Sequence, residues 1–209
     1  MSIKRIDPSA PPRRGASRRP WWLQPLSILA STGAALATVA WHRRWEGAID
    51  GTPRRGLMDG LCHGGTALAV ALPALPYVRE PAAFLRVVLS TALLLDLDHI
   101  PAARSFHLAR TMTMEHRPPS HSVLTPLLFA ILAERWRPER HLGLAALLGL
   151  GSHLLRDLGT GGAPIVHPRR IVTVPYRVVV PLLGLVAISS RHATRRRFGT
   201  RLLRLAFSV

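Results

Sequence analysis

The interpretation of this chain depends on residues 96–122, DLDHIPAARSFHLARTMTMEHRPPSHS. In 27 residues the stretch holds two aspartates and four histidines, which are Asp96, Asp98, His99, His107, His116 and His121. Apolar runs flank it on both sides, LRVVLSTALLL before it and VLTPLLFAILA after it. Carboxylates and imidazoles together suit a divalent ion such as Zn, Mn or Fe. Because charged groups beside long apolar segments are costly and usually functional, the stretch predicts half of a metal site at one face of a small membrane protein.

The other half of the predicted site lies in GSHLLRDLGTGG, residues 151–162. His153 and Asp157 are four residues apart, which on a helix leaves them about 40° apart around the axis and one turn apart along it. Both side chains can then reach one ion, by the geometry that an HExxH helix uses. A surface His–Asp pair has the same spacing, so this pattern alone does not decide between the two interpretations.

The composition favours a membrane over nucleic acid as the partner. The chain has 209 residues, 48% of them hydrophobic, and a formal net charge of +17. Such a charge usually suggests nucleic acid, but the arginines here cluster at the ends of apolar runs, where anionic headgroups lie. We therefore expect membrane lipid and no nucleic acid. A single cysteine, Cys62, excludes an intrachain disulfide framework and a cysteine-based zinc finger.

The apolar runs predict an all-α fold, a polytopic integral membrane helical bundle with four to six spans. Residues 23–40 carry no charge and are flanked by tryptophans, as a membrane anchor would be. A cleaved signal peptide is the alternative, and SRRPWWL loosely resembles a twin-arginine export signal. The predicted parts are a disordered basic arm (1–20), an N-terminal anchor helix (21–41), a helical membrane domain (60–190) and a basic C-terminal tail (191–209).

The candidate ligands fall at corresponding ends of the apolar runs. If all six runs cross the membrane, one face collects His63, Asp96, Asp98, His99, His116, His121, His153, Asp157 and His167. The distribution of Lys and Arg over alternate connections then puts both termini in the cytoplasm and this face outside. His107 and Glu115 are weaker candidates, because they lie in the predicted loop 100–121 without a partner pattern. The set exceeds the needs of one four-coordinate ion, so it fits either one metal with orienting carboxylates or two metals.

Further residues predict substrate contacts near these ligands. Two aspartates at a helix C-terminus oppose the helix dipole and need a compensating cation. Arg117 can hold a phosphate or carboxylate with two hydrogen bonds, although a lipid headgroup contact is an equal alternative. Thr160, Gly161 and Gly162 end the fifth run, where glycine permits either a plain turn or a close approach to a substrate.

These motifs resemble the YdjM-like family of LexA-binding, inner-membrane-associated, metal-dependent hydrolases. The resemblance rests on His63, DLDH at 96–99, HRPPSHS at 116–122, SHLLRDLGTGG at 152–162 and Pro168, and covers roughly residues 60–170. It implies a multi-pass protein of the bacterial inner membrane with a hydrolase-like domain, and a cytosolic protein as a partner. A more distant likeness is to zinc-dependent phospholipase C and single-strand nuclease folds. The chain departs from the more usual Leu–Leu–Leu–Asp pattern by having Arg156 before Asp157.

The first functional hypothesis is a membrane-embedded, metal-dependent hydrolase of a phosphoester in a lipid or another amphiphile. Its metal, Zn first and Mn or Fe as alternatives, would be held by His63, Asp98, His99, His116, His121, His153 and Asp157. The catalytic residues would be Asp96 and Arg117, and the substrate would contact Arg117, Thr160 and Gly162. The second hypothesis is a non-enzymatic membrane scaffold or regulator that binds lipid or a cytosolic partner. A metal or proton transporter is a third.

Overall fold

The structure, a computed structural model, describes residues 22–114, 116–136, 141–165 and 170–196. The helices within these ranges are α1 (Leu23–Glu46), α2 (Pro53–Ala71), α3 (Pro81–Leu94), α4 (His99–Ala103), α5 (Leu108–Met112), α6 (Leu124–Trp136), α7 (Leu142–Thr160) and α8 (Tyr176–Arg196). Three 3₁₀ helices span Leu72–Tyr77, Leu95–Asp98 and Pro119–His121, and the strands β1 (Ala163–Pro164) and β2 (Ile171–Val172) pair antiparallel. The basic arm, Glu115, His167, Pro168 and the tail beyond residue 196 lie outside the described residues.

The helices begin and end where local chemistry permits. Proline stands at the first position of α2 and of α3, where its missing N–H is not needed. The hydroxyl of Thr52 accepts the backbone N–H of Arg55 at 3.3 Å and so caps α2. This cap starts α2 eight residues before residue 61, where the apolar run begins, and it places Asp59 within the helix. Two short helices, α4 and α5, occupy much of the segment that was expected to be a loop.

Helix α7 is the centre of the bundle and packs against α2, α3, α6 and α8. Its contact with α3 is close, because a Cβ at Gly149 would collide with the carbonyl of Val88 and the hydroxyl of Thr91. Fully buried aliphatic and aromatic side chains fill the surrounding core, which includes Ala67, Val70, Ala71, Ala74, Val78, Phe84, Val88, Ala92 and Ala145. The close crossing fixes the position of α7 along the axis of α3. It therefore determines which polar groups of the two helices meet one turn after Gly149.

Helix α1 packs along α2 and leaves its other side uncovered. The hydroxyl of Ser31 donates to the carbonyl of Ala69 at 2.6 Å, and Gly65 lies against Trp41 with no room for a Cβ. On the opposite side, Leu29 and Leu36 are 66% and 67% exposed. An apolar helix with an exposed apolar face is what a membrane anchor or a signal sequence requires.

The prediction of four to six membrane spans is wrong, whereas the all-α prediction agrees with the structure. Within the described residues, only α1 is long and apolar enough to cross a membrane. Helices α3 and α6 have 14 and 13 residues, or about 20 Å at 1.5 Å per residue, against a hydrocarbon core of about 30 Å. Helix α7 is longer, but its apolar residues form the protein core and its last turns carry charge. The expected external position of the His/Asp face required the apolar runs to cross the membrane alternately. The structure does not support those crossings.

Candidate metal centre

Four side chains from three segments meet beside the end of α7. Asp96 Oδ1 lies 3.3 Å from His153 Nε2 and 3.4 Å from His121 Nε2. Asp157 Oδ2 lies 3.4 Å and 3.7 Å from the same two nitrogens. Ligands of a tetrahedral zinc ion, at about 2.0–2.1 Å from the metal, are about 3.4 Å from one another. We call Asp96, His121, His153 and Asp157 the four-donor set, because each of these four histidine–aspartate separations is close to that value.

His153 is oriented by the backbone of α3. Its Nδ1 donates to the carbonyl oxygen of Ala92 at 2.7 Å, so Nε2 is the nitrogen that would offer a lone pair to a metal once the ring is neutral. Among the described residues, neither this buried Nε2 atom nor the buried Oδ2 of Asp157 has a hydrogen-bond partner. Buried polar atoms without partners are uncommon in native proteins and call for an explanation. A bound cation would satisfy both atoms.

His121 is held between two aspartates, one on each ring nitrogen. Asp98 Oδ2 lies 3.2 Å from Nδ1 and also accepts a hydrogen bond from the hydroxyl of Ser120. An ionised carboxylate only accepts, so Nδ1 donates to Asp98 and Nε2 is left for a metal. The geometry therefore favours Asp96 as the ligand and Asp98 as the group that orients His121. The sequence predicts Asp98 as a ligand and Asp96 as a catalytic residue, and the roles of both stay predictions.

His63 lies at the edge of the four-donor set and is shared with a buried arginine. Its ring stacks on that of His153 with 3.7 Å between centroids, and its Nε2 lies 3.5 Å from Asp157 Oδ1. Arg156 Nη1 donates to this same Nε2 at 3.0 Å and pairs with Asp59 Oδ1 at 2.7 Å. Arg156 is only 1% exposed. Asp59 is not among the residues predicted from the sequence, although it precedes His63 by one helical turn.

His99 and Arg117 form the opposite edge. Nδ1 of His99 lies 3.0 Å from Asp98 Oδ1, and its Nε2 accepts a hydrogen bond from Arg117 Nη1 at 3.2 Å. Arg117 Nη1 also lies 3.9 Å from Asp157 Oδ2. The guanidinium crosses Gly161, where a Cβ would come within 2.9 Å of Nη2. Since 26% of its side-chain surface is exposed, Arg117 combines contact with the cluster and access to solvent.

The remaining predicted residues do not face the four-donor set. His107 and His116 are exposed, and neither belongs to a group of metal-capable side chains among the described residues. The hydroxyl of Thr160 donates to the carbonyl of Arg156 at 3.2 Å. Gly162 has a φ of +86°, and a Cβ there would meet Thr173 at 2.7 Å. Thr160 and Gly162 thus shape the turn after α7, and their contact with a substrate stays a prediction.

Carboxylates and imidazoles of opposite charge shift one another's pKa values in this cluster. Burial alone lowers the pKa of His153, but the nearby carboxylates of Asp157 and Asp96 outweigh it and raise that pKa to about 10. The pKa of His121 is also raised by Asp96 and Asp98 against the effect of burial. Burial raises the carboxyl pKa of Asp157, yet the neighbouring His153 brings it below its usual range. The cluster therefore favours positive charge at its centre, either as protons on the imidazoles or as a bound metal ion.

Three overlapping groups of buried or half-buried side chains can hold a metal ion. Within each group the donor atoms lie within 4.8 Å of one another, and the groups are His63–His153–Asp157, Asp96–His99–His121 and Asp59–His63–Asp96. They share His63 and Asp96, so they form one continuous cluster.

A family model described as YdjM inner membrane protein matches residues 58–209, which include every residue of this cluster. The chain belongs to the YdjM family. The resemblance inferred from the motifs is thereby confirmed, and the family's description places this YdjM chain at the inner membrane. No curated protein and no solved structure matches the chain.

Proposed function

We propose that this YdjM family member is a metal-dependent hydrolase that acts on a phosphoester of a lipid or another amphiphile. The observation that carries the proposal is that His153 Nε2 and Asp157 Oδ2 are buried without a hydrogen bond among the described residues, within a four-donor set whose histidine–aspartate separations run from 3.3 to 3.7 Å. Zinc is the first candidate, because two imidazoles and two carboxylates suit it. Mn and Fe are the alternatives.

A divalent ion bound there supplies a Lewis acid and lowers the pKa of water for attack on phosphorus. The chain's own residues provide the rest. Asp98 fixes the ring of His121 through Nδ1, and the carbonyl of Ala92 does the same for His153. Both imidazoles are thereby presented in the tautomer that binds a metal. Asp96, whose low pKa keeps it ionised, is better suited to hold a cation than to accept a proton.

Arg117 supports a phosphoester as the substrate. Its guanidinium lies beside Asp157 and His99 and is partly exposed, so it can bind an anionic group that enters from solvent. Asp96, with 35% of its side-chain surface exposed, marks the same open side. The lipid or amphiphile is supported by the inner-membrane family and by the apolar surface of α1.

The proposal is tested on the full-length chain purified in detergent. We expect bound zinc, hydrolysis of bis(p-nitrophenyl) phosphate and of phospholipid in mixed micelles, and loss of both activities with a chelator. Asp157→Ala should abolish metal binding and hydrolysis. Asp50→Ala is the matched control, because Asp50 also pairs with an arginine, Arg55 at 3.0 Å, but lies outside the cluster.

Absence of metal after zinc loading, or hydrolysis that survives Asp157→Ala, contradicts the proposal. A scaffold or regulator that binds lipid or a cytosolic protein then becomes the better interpretation. In that case His153→Ala would leave the protein's function unchanged.

A further inference from the structure

The three metal-capable groups contain more donors than one ion needs, so the number of ions is open on donor count alone. They comprise Asp59, His63, Asp96, His99, His121, His153 and Asp157. Hydrolytic sites of this composition work with either one or two ions. The hydrogen bonds of the outer donors distinguish these cases.

Arg156 already engages two of the three donors in the Asp59–His63–Asp96 group. Its Nη1 lies 2.7 Å from Asp59 Oδ1 and 3.0 Å from His63 Nε2. A guanidinium stays protonated in proteins, so it can only donate, and His63 Nε2 must be the acceptor. The lone pair that would bind a metal is therefore used by Arg156. Because Arg156 is 1% exposed, a second ion could enter only by displacing a buried charge, which is costly.

Arg117 engages the outer histidine on the other side in the same way. Its Nη1 donates to His99 Nε2 at 3.2 Å, while His99 Nδ1 donates to the carbonyl oxygen of Asp96 at 3.2 Å and lies 3.0 Å from Asp98 Oδ1. Both ring nitrogens of His99 thus have protein partners. With His63 and His99 both engaged, the donors that remain are those of the four-donor set.

The net charge of the cluster also indicates a single metal ion. The cluster contains four carboxylates, those of Asp59, Asp96, Asp98 and Asp157, and two guanidinium groups, those of Arg117 and Arg156. With the imidazoles neutral, as metal binding requires, two negative charges are left over, and one divalent ion neutralises them. A second divalent ion would leave two positive charges in a buried site, which is unfavourable without further anions.

We infer that the cluster binds a single divalent ion in the four-donor set, and that the guanidinium groups of Arg156 and Arg117 replace further ions at His63 and His99. The inference rests on the proposed metal site and adds its stoichiometry. His63 and His99 are then positioning residues, which pack and polarise the ligands without touching the ion.

The test is the metal content of the full-length protein, loaded with zinc, dialysed and measured by inductively coupled plasma mass spectrometry. We expect one zinc per chain in the wild type and close to two in Arg156→Met, in which Asp59 and His63 are released. Arg55→Met is the matched control, since Arg55 also pairs with an aspartate on or beside α2 but outside the cluster, and it should retain one zinc.

A second pair of variants makes the test independent of the folding of Arg156→Met. His63 and His153 are stacked and equally buried, so loss of either ring removes a similar volume. His63→Ala should still bind one zinc, with a Kd within about tenfold of the wild type, whereas His153→Ala should bind more than about 100-fold more weakly.

Two zinc ions in the wild type, or equal losses of affinity in His63→Ala and His153→Ala, overturn the inference and leave the hydrolase proposal intact. A single zinc in a folded Arg156→Met also overturns it. A wild-type chain that takes up no zinc refutes the hydrolase proposal itself.

Discussion

Asp98 Oδ2 and His121 Nδ1 lie 3.2 Å apart, on the side of the imidazole that faces away from the four-donor set. The other nitrogen of the ring, Nε2, lies 3.4 Å from Asp96 Oδ1. One histidine therefore separates two aspartates that stand two positions apart in the sequence, and it gives them different roles.

Asp98→Ala and Asp96→Ala should have unequal effects on metal affinity. Loss of Asp98 removes the acceptor that orients His121, and such changes weaken metal binding by about 10–100-fold. Loss of Asp96 removes a donor of the set and should weaken binding by at least a further tenfold. Titration of each variant with zinc against a competing chelator measures the Kd. Equal losses would show that both aspartates bind the ion.

Metal binding should release protons and weaken as the pH falls. In the metal-free chain the pKa of His153 is about 10, so this imidazole is protonated at neutral pH and must become neutral to bind. We expect at least one proton released per ion at pH 7.5, and the raised pKa of His121 adds to that release. Isothermal titration calorimetry in buffers of different ionisation enthalpy gives this number.

The same experiment has an internal check. Above a pH of about 10 His153 is already neutral in the metal-free chain, so proton release should decrease there. Asp157→Asn should remove the largest contribution that raises the pKa of His153, so the pKa of this imidazole, measured by NMR in the metal-free chain, should fall. Constant release across this range would contradict the assignment of the proton to His153.

Gly149→Ala should destabilise the fold, whereas Gly151→Ala should not. A Cβ at Gly149 would collide with Val88 and Thr91, whereas one at Gly151 would have no described atom within 4 Å apart from its chain neighbours and its own helix backbone. Overpacking of this kind costs about 1–3 kcal/mol, while alanine in an open helical position gains about 0.5–1 kcal/mol over glycine. Thermal unfolding followed by circular dichroism compares the two.

Because His153 follows Gly149 by one turn, the Gly149 variant should also bind zinc more weakly. A variant that is destabilised but binds zinc normally would show that the helix crossing does not position His153.

Arg117→Ala should weaken binding of inorganic phosphate to the metal-loaded protein. A hydrogen bond to a charged group contributes about 1.5–3 kcal/mol, which corresponds to roughly 10–100-fold in affinity. Arg117→Lys should restore part of the loss, because it keeps the charge without the bidentate geometry. The inhibition constant of phosphate measures the effect, and Arg55→Ala is the control. An unchanged constant would assign Arg117 to a structural role.

The sequence predicts the parts of the centre that helical geometry determines. His153 and Asp157 are one turn apart, and the structure places their side chains 3.4 Å from each other. It could not predict the contribution of Asp59, because the start of α2 depends on the cap at Thr52 rather than on the apolar run. Nor could it distinguish Asp96 from Asp98, because their roles depend on where His121 enters from a distant segment.

The number of membrane spans could not be predicted from the sequence for a different reason. Apolar length is the same property in a core helix and in a membrane helix. In α7 the apolar residues are covered by α3, α6 and α8. The local sequence does not show whether other helices or lipid will cover an apolar run. Helix α1 differs in that its leucines remain exposed after folding.

Because Arg156 pairs with Asp59, we expect substitutions at these two distant positions to be correlated in evolution. Neither residue can become apolar alone without leaving a buried, uncompensated charge, so divergent members of the lineage should exchange both at once. Chains with leucine before the α7 aspartate are expected to carry a neutral residue one turn ahead of the α2 histidine, or a second cation in its place.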